Sequence, residues 1–320
     1  MSTSVLIVSP YAARANNGNW RTAARWSSLL RPDYQVIVRT AADVLHDADV
    51  LVALHARRSH AAIEMWCRRA RRGACVLVLT GTDLYHDIPQ RDQLALQSLR
   101  LADRLIVLQS RAVRSLPLSA RRKATVVYQS APTLAPFPKS SRLLRAVFVG
   151  HIRGEKDPLT FVHAAAALAG RRDIAFAMAG GARDAGLTRK IERLAATLPQ
   201  LTMLGELSHA AARQRIRRAH LLIVPSRMEG GANVIVEAVM SGTAVLASDC
   251  DGNIGMLGDD YPGYFSVGDA SALAHLITRC RDEPAFSSEL ARMCALRARE
   301  FEPSAERAAL LQVLATLRRQ

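Results

Sequence analysis

Lysine is scarce in this chain. Of 43 basic residues four are lysines, at 123, 139, 156 and 190, and the rest are arginines. Aromatic side chains make up 5% of the residues. That is a poor supply for a protein that stacks exposed bases, so single-stranded nucleic acid is not an expected partner. Cysteine is limited to Cys67, Cys75, Cys250, Cys280 and Cys294. The number is odd and no Cys-x-x-Cys occurs, which argues against a disulfide or zinc framework and favours reduced thiols packed as small apolar groups. No apolar run approaches the roughly 18 residues of a membrane span. The first ten residues lack the basic segment of a secretory signal and read as a strand, so a cytoplasmic location is expected.

What is present is an ordinary globular composition, with 49% apolar and 22% charged residues over 320 positions. That length suits one large domain or two of ordinary size. Formal net charge is +15. Arginine excess also follows from codon bias, so the total alone selects no partner. Its distribution says more. Residues 1–145 hold 22 basic and 9 acidic side chains, whereas residues 146–320 hold 21 and 19.

Short, near-continuously apolar runs are predicted as strands at 5–9, 34–39, 50–55, 75–80, 104–109 and 125–129. Such runs suit strands buried on both faces of a parallel sheet. Helical patterns lie between them, clearest at 19–30 and 58–72. Residues 131–141 then place three prolines close together before Ser140 and Ser141, which predicts a linker. The pattern restarts with strands at 146–150, 174–179, 201–204, 221–225, 244–248 and near 264–267. Helices are expected at 158–169, 184–198, 210–218 and 232–241, and three more at 270–281, 285–299 and 304–318. The expected class is α/β, with two facing Rossmann-like, doubly wound domains and a cleft between them. The expected division is 1–140 and 141–320, the final helices belonging to the second domain.

The most specific motif begins at Glu229. Gly230 and Gly231 follow it, a helix starts near Ala232, and Glu237 sits one to two turns along that helix. Glycines let a ligand approach the backbone, and amides at a helix start favour anionic oxygen. A carboxylate at 237 can accept two hydrogen bonds from a vicinal diol such as a ribose, and one at 229 can accept hydroxyls of a second sugar. Phosphate between two sugar-recognising acids describes a nucleotide-sugar. The competing reading is a capped surface helix with two solvated glutamates.

This element, with Glu237-Ala-x-x-x-Gly242-x-x-Val245 completing it, resembles the donor signature of retaining GT-B glycosyltransferases of the glycogen-synthase-like, family-4 type. The resemblance implies that Glu229 touches the donor hexose. It implies that Gly230, Gly231, Asn233 and Val234 approach the diphosphate and sugar, and that Glu237 holds the ribose. A second family element is a basic pair after the first donor-domain strand, here Gly150-His151-Ile152-Arg153-Gly154-Glu155-Lys156. Lys156 matches the family lysine. His151 stands where the family places its arginine, and Arg153 comes two residues later. Two cations at a departing diphosphate can replace a metal ion, so no metal and no cofactor is expected. Asp-x-Asp occurs at Asp47 and Asp49 and at Asp249 and Asp251. The first pair lies at the wrong end of a parallel strand for a ligand. The second is expected in a loop near the donor sugar.

In the first half, several predicted strand ends carry cations and small residues. Asn17, Gly18, Asn19, Arg21 and Thr22 follow strand one, His55, Arg57 and Arg58 follow strand three, and Thr82 and Asp83 follow strand four. Ligands of open α/β sheets bind outside the carboxyl ends of strands, and this set suits an anion. Arg68, Arg69, Arg71 and Arg72 read instead as solvated helix residues. Trp20, Trp26 and Leu29 form a stripe expected to pack in the core.

Phrases at 51–59, 79–85, 102–109, 126–131 and 251–265 are similar to those of selenosugar synthases of selenoneine biosynthesis. That resemblance runs from residue 5 to about 270. It implies a small GT-B enzyme joining selenophosphate to a UDP-sugar, UDP-N-acetylglucosamine first, with UDP and then phosphate released. It further implies functional coupling to an enzyme that makes selenophosphate. Under this reading Gly18, Asn19, Arg21, Thr22, His55, Arg57, Arg58, Thr82 and Asp83 form the acceptor side. Gly150, Arg153, Lys156, Glu229, Gly230, Gly231, Asn233, Val234 and Glu237 form the donor side, and Arg153, Lys156, Glu229 and His55 serve catalysis. His55 is a candidate for assisting phosphate hydrolysis, and Asp83 for orienting a group. Two alternatives stay open. One is a family-4 hexosyltransferase with another small, lipid or polysaccharide acceptor, and the other is a non-enzymatic cationic binder of nucleic acid or a membrane surface.

Overall fold

The computed structural model describes residues 3–12, 18–40, 47–69 and 73–317. Asn17, Arg71 and Arg72 lie outside the described residues. The chain divides into two compact units, residues 1–129 with 303–320, and residues 130–302.

The first unit opens with β1 (Ser4–Ser9), α1 (Gly18–Leu30), β2 (Gln35–Thr40), β3 (Val50–Leu54), α2 (His60–Cys67) and β4 (Ala74–Leu79). It continues through α3 (Gln93–Leu101), β5 (Arg104–Val107), α4 (Leu118–Arg121) and β6 (Ala124–Val126). The six strands pair in the order β2-β1-β3-β4-β5-β6, every pair parallel. Residue alternation sorts the strand side chains onto two faces. Leu6, Val8, Leu51, Ala53, Leu77 and Leu79 pack with Ile63, Trp66 and Leu99 on one face. Val5, Ile7, Val52, Leu54, Val76 and Val78 pack with Trp26 and Leu30 on the other. Both faces are covered, which is why the strand sequences are apolar throughout.

The second unit holds β7 (Leu144–Val149), α5 (Pro158–Ala167), β8 (Ile174–Ala179), α6 (Ala185–Ala195), β9 (Leu201–Met203), α7 (His209–Arg218) and β10 (Leu221–Val224). Then come α8 (Asn233–Val239), β11 (Ala244–Ser248), α9 (Asp251–Leu257), β12 (Tyr264–Phe265), α10 (Ala270–Asp282) and α11 (Pro284–Arg297). Its sheet order is β12-β11-β10-β7-β8-β9, again all parallel. Counted from β7 that is 3-2-1-4-5-6 read from the far edge, the doubly wound order of dinucleotide-binding folds. Phe148 of β7, Phe161 of α5 and Phe176 of β8 pack at 5.8 and 5.7 Å between centroids, the first pair tilted and the second edge-to-face.

Three segments differ from the sequence reading. The last helix, α12 (Pro303–Leu317), was assigned to the second half, yet it packs on α1 in the first unit. Leu310, Val313 and Leu314 enter the core beside Trp26. Glu306 is buried and accepts Trp26 Nε1 at 2.6 Å and Arg25 Nε at 2.8 Å. Next, the proline-rich segment is built into the second unit instead of spanning between bodies. Leu134 N donates to Met240 O at 2.8 Å, while Arg213 and Arg217 donate to the Pro132 and Ala135 carbonyls, each at 2.6 Å. Finally, residues 251–257 form α9 where a loop was expected. Trp20 is only half-buried, but Trp26 is fully buried as the stripe reading required.

Candidate functional site

The second unit changes winding direction between β7 and β10, and ligands of such sheets bind at that point. The chain leaving β7 runs Gly150 to Lys156, the last three residues in a 3-10 turn. The chain leaving β10 runs Pro225 to Ala232 and enters α8 without a side-chain cap. These two segments bring Gly150, Lys156 and Glu229 together. Glu229 is buried, and its Oε1 accepts both Lys156 Nζ and Ser226 Oγ at 2.6 Å. Gly150 lies beside Lys156, since a Cβ there would sit 3.9 Å from Lys156 Cδ. The backbone is tight here. A Cβ on Gly180 would lie 1.8 Å from Gly150 O, so only glycine lets β8 approach this loop.

Glu237 is buried on α8, and its Oε1 meets His209 Nε2 at 2.6 Å. His209 opens α7 and is about half-exposed. Burial of both glutamates contradicts the reading of two solvated surface acids. Gly230, Gly231, Asn233 and Val234 lie between them in sequence, Gly230 buried and the others half-buried. Arg153 is not drawn into this cluster. Its Nε lies 3.9 Å from Glu155, and about half the side chain is exposed. A different arginine was missed by sequence reasoning. Arg227 pairs with Asp157 at 3.2 Å, and its amide donates to Glu155 O at 2.9 Å, tying the β10 loop to the β7 loop. Asp157 holds a left-handed φ of 43°, uncommon outside glycine.

One acid of each Asp-x-Asp pair accepts a backbone amide. Asp49 Oδ2 accepts Ser4 N at 2.7 Å, and Asp249 Oδ1 accepts Val267 N at 3.0 Å. No group of three metal-ligating side chains occurs among the described residues. Burial pushes the Cys250 thiol up, and the neighbouring Glu229 carboxylate pushes in the same direction. Cys67, Cys75, Cys250, Cys280 and Cys294 are thiols outside any disulfide.

In the first unit the winding reverses between β1 and β3. His55, directly after β3, is buried with φ of 77°. A bulky residue in that region marks strain that the surroundings must hold. Its Nε2 meets Thr82 Oγ1 at 3.0 Å, and its Nδ1 lies 3.9 Å from Asp83 Oδ2. Arg58 hydrogen-bonds the Tyr11 hydroxyl and lies 5.1 Å from that ring's centroid. Tyr11 follows β1 across the switch point and was not singled out from sequence. Position after the first strand was the available signal.

Other expected acceptor residues have structural partners. Asp83 is fully buried; its Oδ1 accepts the amides of Thr80, Gly81 and Leu84 at 2.9–3.0 Å, and its Oδ2 that of Ala56 at 2.9 Å. It opens a π-helical turn, Asp83–Asp87, and ties it to the loop after β3. Arg57 pairs with Asp92 at 3.1 Å and reaches Asp87 at 3.9 Å. Thr22 is buried, donates to Gly18 O at 2.9 Å and accepts Gln129 Nε2 at 2.6 Å. Gly18 is exposed, and Asn19 and Arg21 are half-buried, all at the start of α1.

The sequence profile of the family described as "Glycosyl transferases group 1" matches residues 135–301. The chain belongs to this family and is a glycosyltransferase. Its fold is shared with solved GT-B structures. Sucrose-phosphate synthase from Thermosynechococcus elongatus superposes with a TM-score of 0.79 at 18% identity, covering 98% of this chain and 99% of that one. HepE from Anabaena, in complex with UDP and glucose, gives 0.77 at 15% identity, covering 98% and 100%. A glycosyltransferase from Rickettsia africae gives 0.76 at 13% identity, covering 99% and 98%. No curated protein matches in sequence.

Proposed function

We propose that this glycosyltransferase transfers an N-acetylglucosaminyl group from UDP-N-acetylglucosamine to the selenium of selenophosphate. The observation that carries the donor half is the buried Glu229 carboxylate, anchored on one oxygen by Lys156 and Ser226 at 2.6 Å. Glu229 engages the hexose through its other oxygen. Lys156, beside it, neutralises the diphosphate as it leaves. Arg153, half-exposed directly before the turn that carries Lys156, is the second cation and swings toward the diphosphate when it binds. Glu237 accepts the ribose hydroxyls, and Gly150, Gly230, Gly231, Asn233 and Val234 line the approach. HepE, solved with UDP and glucose, supports a UDP-sugar as donor.

The acceptor half rests on the resemblance to selenosugar synthases and on the cationic, strained turn at His55. Arg58, Arg57, Arg21, Thr82 and His55 hold the phosphate oxygens, with Gly18 and Asn19 beside them. Thr22 and Asp83 frame the loops. Selenium attacks the anomeric carbon, a C–Se bond forms, and the C–O bond to UDP breaks with its electron pair leaving on UDP. Water then cleaves the Se–P bond, releasing phosphate and a 1-seleno-sugar. The donor of selenophosphate is an enzyme working alongside this one in the cytoplasm.

Two substitutions separate the halves. Glu237→Ala should raise KM for the UDP-sugar at least ten-fold while leaving selenophosphate saturation unchanged, because each lost charge-assisted hydrogen bond is worth about 1.5–3 kcal/mol. Arg58→Ala should do the reverse. An unchanged donor KM in Glu237→Ala overturns the donor assignment. Unchanged selenophosphate saturation in Arg58→Ala overturns the acceptor assignment.

A further inference from the structure

Behind Glu229 lies a set of buried polar groups that no donor contact requires. Asn253, on α9, is fully buried. Its Nδ2 reaches Ser248 Oγ at 2.9 Å, Ser248 O at 3.1 Å and Val224 O at 3.3 Å. Ser248 Oγ in turn donates to Ser226 O. Ser226 Oγ donates to Glu229 Oε1 at 2.6 Å. Ser226 and Ser248 are themselves buried. The same turn of α9 presses on Glu229 directly. A Cβ on Gly252 would lie 1.9 Å from Glu229 O and 2.6 Å from Glu229 Cβ.

The direction of these bonds is consistent from end to end. The carboxamide donates to the Ser248 hydroxyl, that hydroxyl donates to the Ser226 carbonyl, and the Ser226 hydroxyl donates to the carboxylate. Asn253 Oδ1 is buried with no hydrogen-bond partner. An unsatisfied buried acceptor is unfavourable, and the bonds donated by the N–H groups of the same carboxamide offset it. They hold together the carboxyl ends of β10 and β11, where the loop bearing Glu229 begins.

We propose that Ser226, backed by Ser248 and Asn253, is a positioning residue that fixes the Glu229 carboxylate for the donor hexose. The inference rests on the reading of Glu229 as the hexose contact. With Oε1 taken by Ser226 and Lys156, the rotamer is set and Oε2 is presented in one direction. Ser226 touches neither uridine nor phosphate in this scheme. Its loss therefore acts on the hexose and spares the nucleotide.

The test compares UDP alone with UDP-N-acetylglucosamine on the full chain. In Ser226→Ala, Kd for UDP should stay within about two-fold, while kcat/KM for the UDP-sugar falls roughly ten-fold, the equivalent of one hydrogen bond. Ser226→Thr, which keeps the hydroxyl, should recover most of that loss. In a Glu229→Gln background, Ser226→Ala should add little, because the two act as one unit. Ser248→Ala should give a smaller loss of the same kind, and Asn253→Ala is read alongside it with its unfolding midpoint. Parallel losses for UDP and UDP-sugar in Ser226→Ala, or no loss for either, overturn the positioning role. If Glu229→Gln itself leaves the UDP-sugar parameters unchanged, the hexose reading fails first, and that outcome is distinct.

Discussion

Asp83 and Lys139 show how one charged residue can be tied to structure. Both Asp83 oxygens are taken by four backbone amides from the loops after β3 and β4. Asp83→Ala leaves those donors buried without partners, at about 1–3 kcal/mol each. The expected outcome is a loss of at least about 3 kcal/mol, read from the urea midpoint. Lys139 is a different case. Burial pushes its ammonium down to about 8, and the Nζ donates to Gly242 O at 3.0 Å. The folded chain therefore binds fewer protons than the unfolded chain between pH 8 and 10.5, and stability gains from rising pH in that window. Melting temperatures across it should rise in the wild type relative to Lys139→Met. A flat difference would show the amine is not desolvated. Glu229 and Glu237 stand out in the sequence by their spacing, and the structure buries both. The amides that take the Asp83 oxygens were not legible, because an acid after a strand looks the same whether amides or a ligand occupy it. Ser226 and Asn253 were invisible for a related reason: their role depends on how β10, β11 and α9 register against one another.

At the scale of elements, most strands were legible because both faces of each sheet are covered and the apolar runs are continuous. β6 and β12 came out shorter than expected, at three and two residues, since edge strands end where pairing ends. The placement of α12 was not legible. Its pattern announces a helix but not which core receives it, and the partner, α1, lies nearly the whole chain away. Glu306 makes that placement testable, being buried against Trp26 and Arg25. Glu306→Ala removes one side of a buried ion pair and strands an indole N–H, which costs about 3 kcal/mol. Urea unfolding should show that loss, together with near-ultraviolet dichroism or fluorescence changes from Trp26. An unchanged midpoint would place α12 elsewhere.

Across the whole molecule, the two units share one plan and differ in charge. Residues 1–129 with 303–320 carry 22 basic against 10 acidic side chains, and residues 130–302 carry 21 against 18. The proposed donor unit needs few cations, and Lys156 sits directly on the buried Glu229 carboxylate. The proposed acceptor unit presents a broad positive field, which speeds capture of a small anion and weakens as salt rises. No described helix is long and apolar enough to cross a membrane. Family membership fixes the reaction as glycosyl transfer, and the donor sugar and the acceptor are what remain to be measured. The most direct measurement is a mass spectrum of the products formed from UDP-N-acetylglucosamine and selenophosphate. The account predicts UDP release that requires selenophosphate, with a sugar product bearing the selenium isotope pattern. UDP release without any selenium-bearing sugar, or no turnover until a different acceptor is supplied, would contradict it.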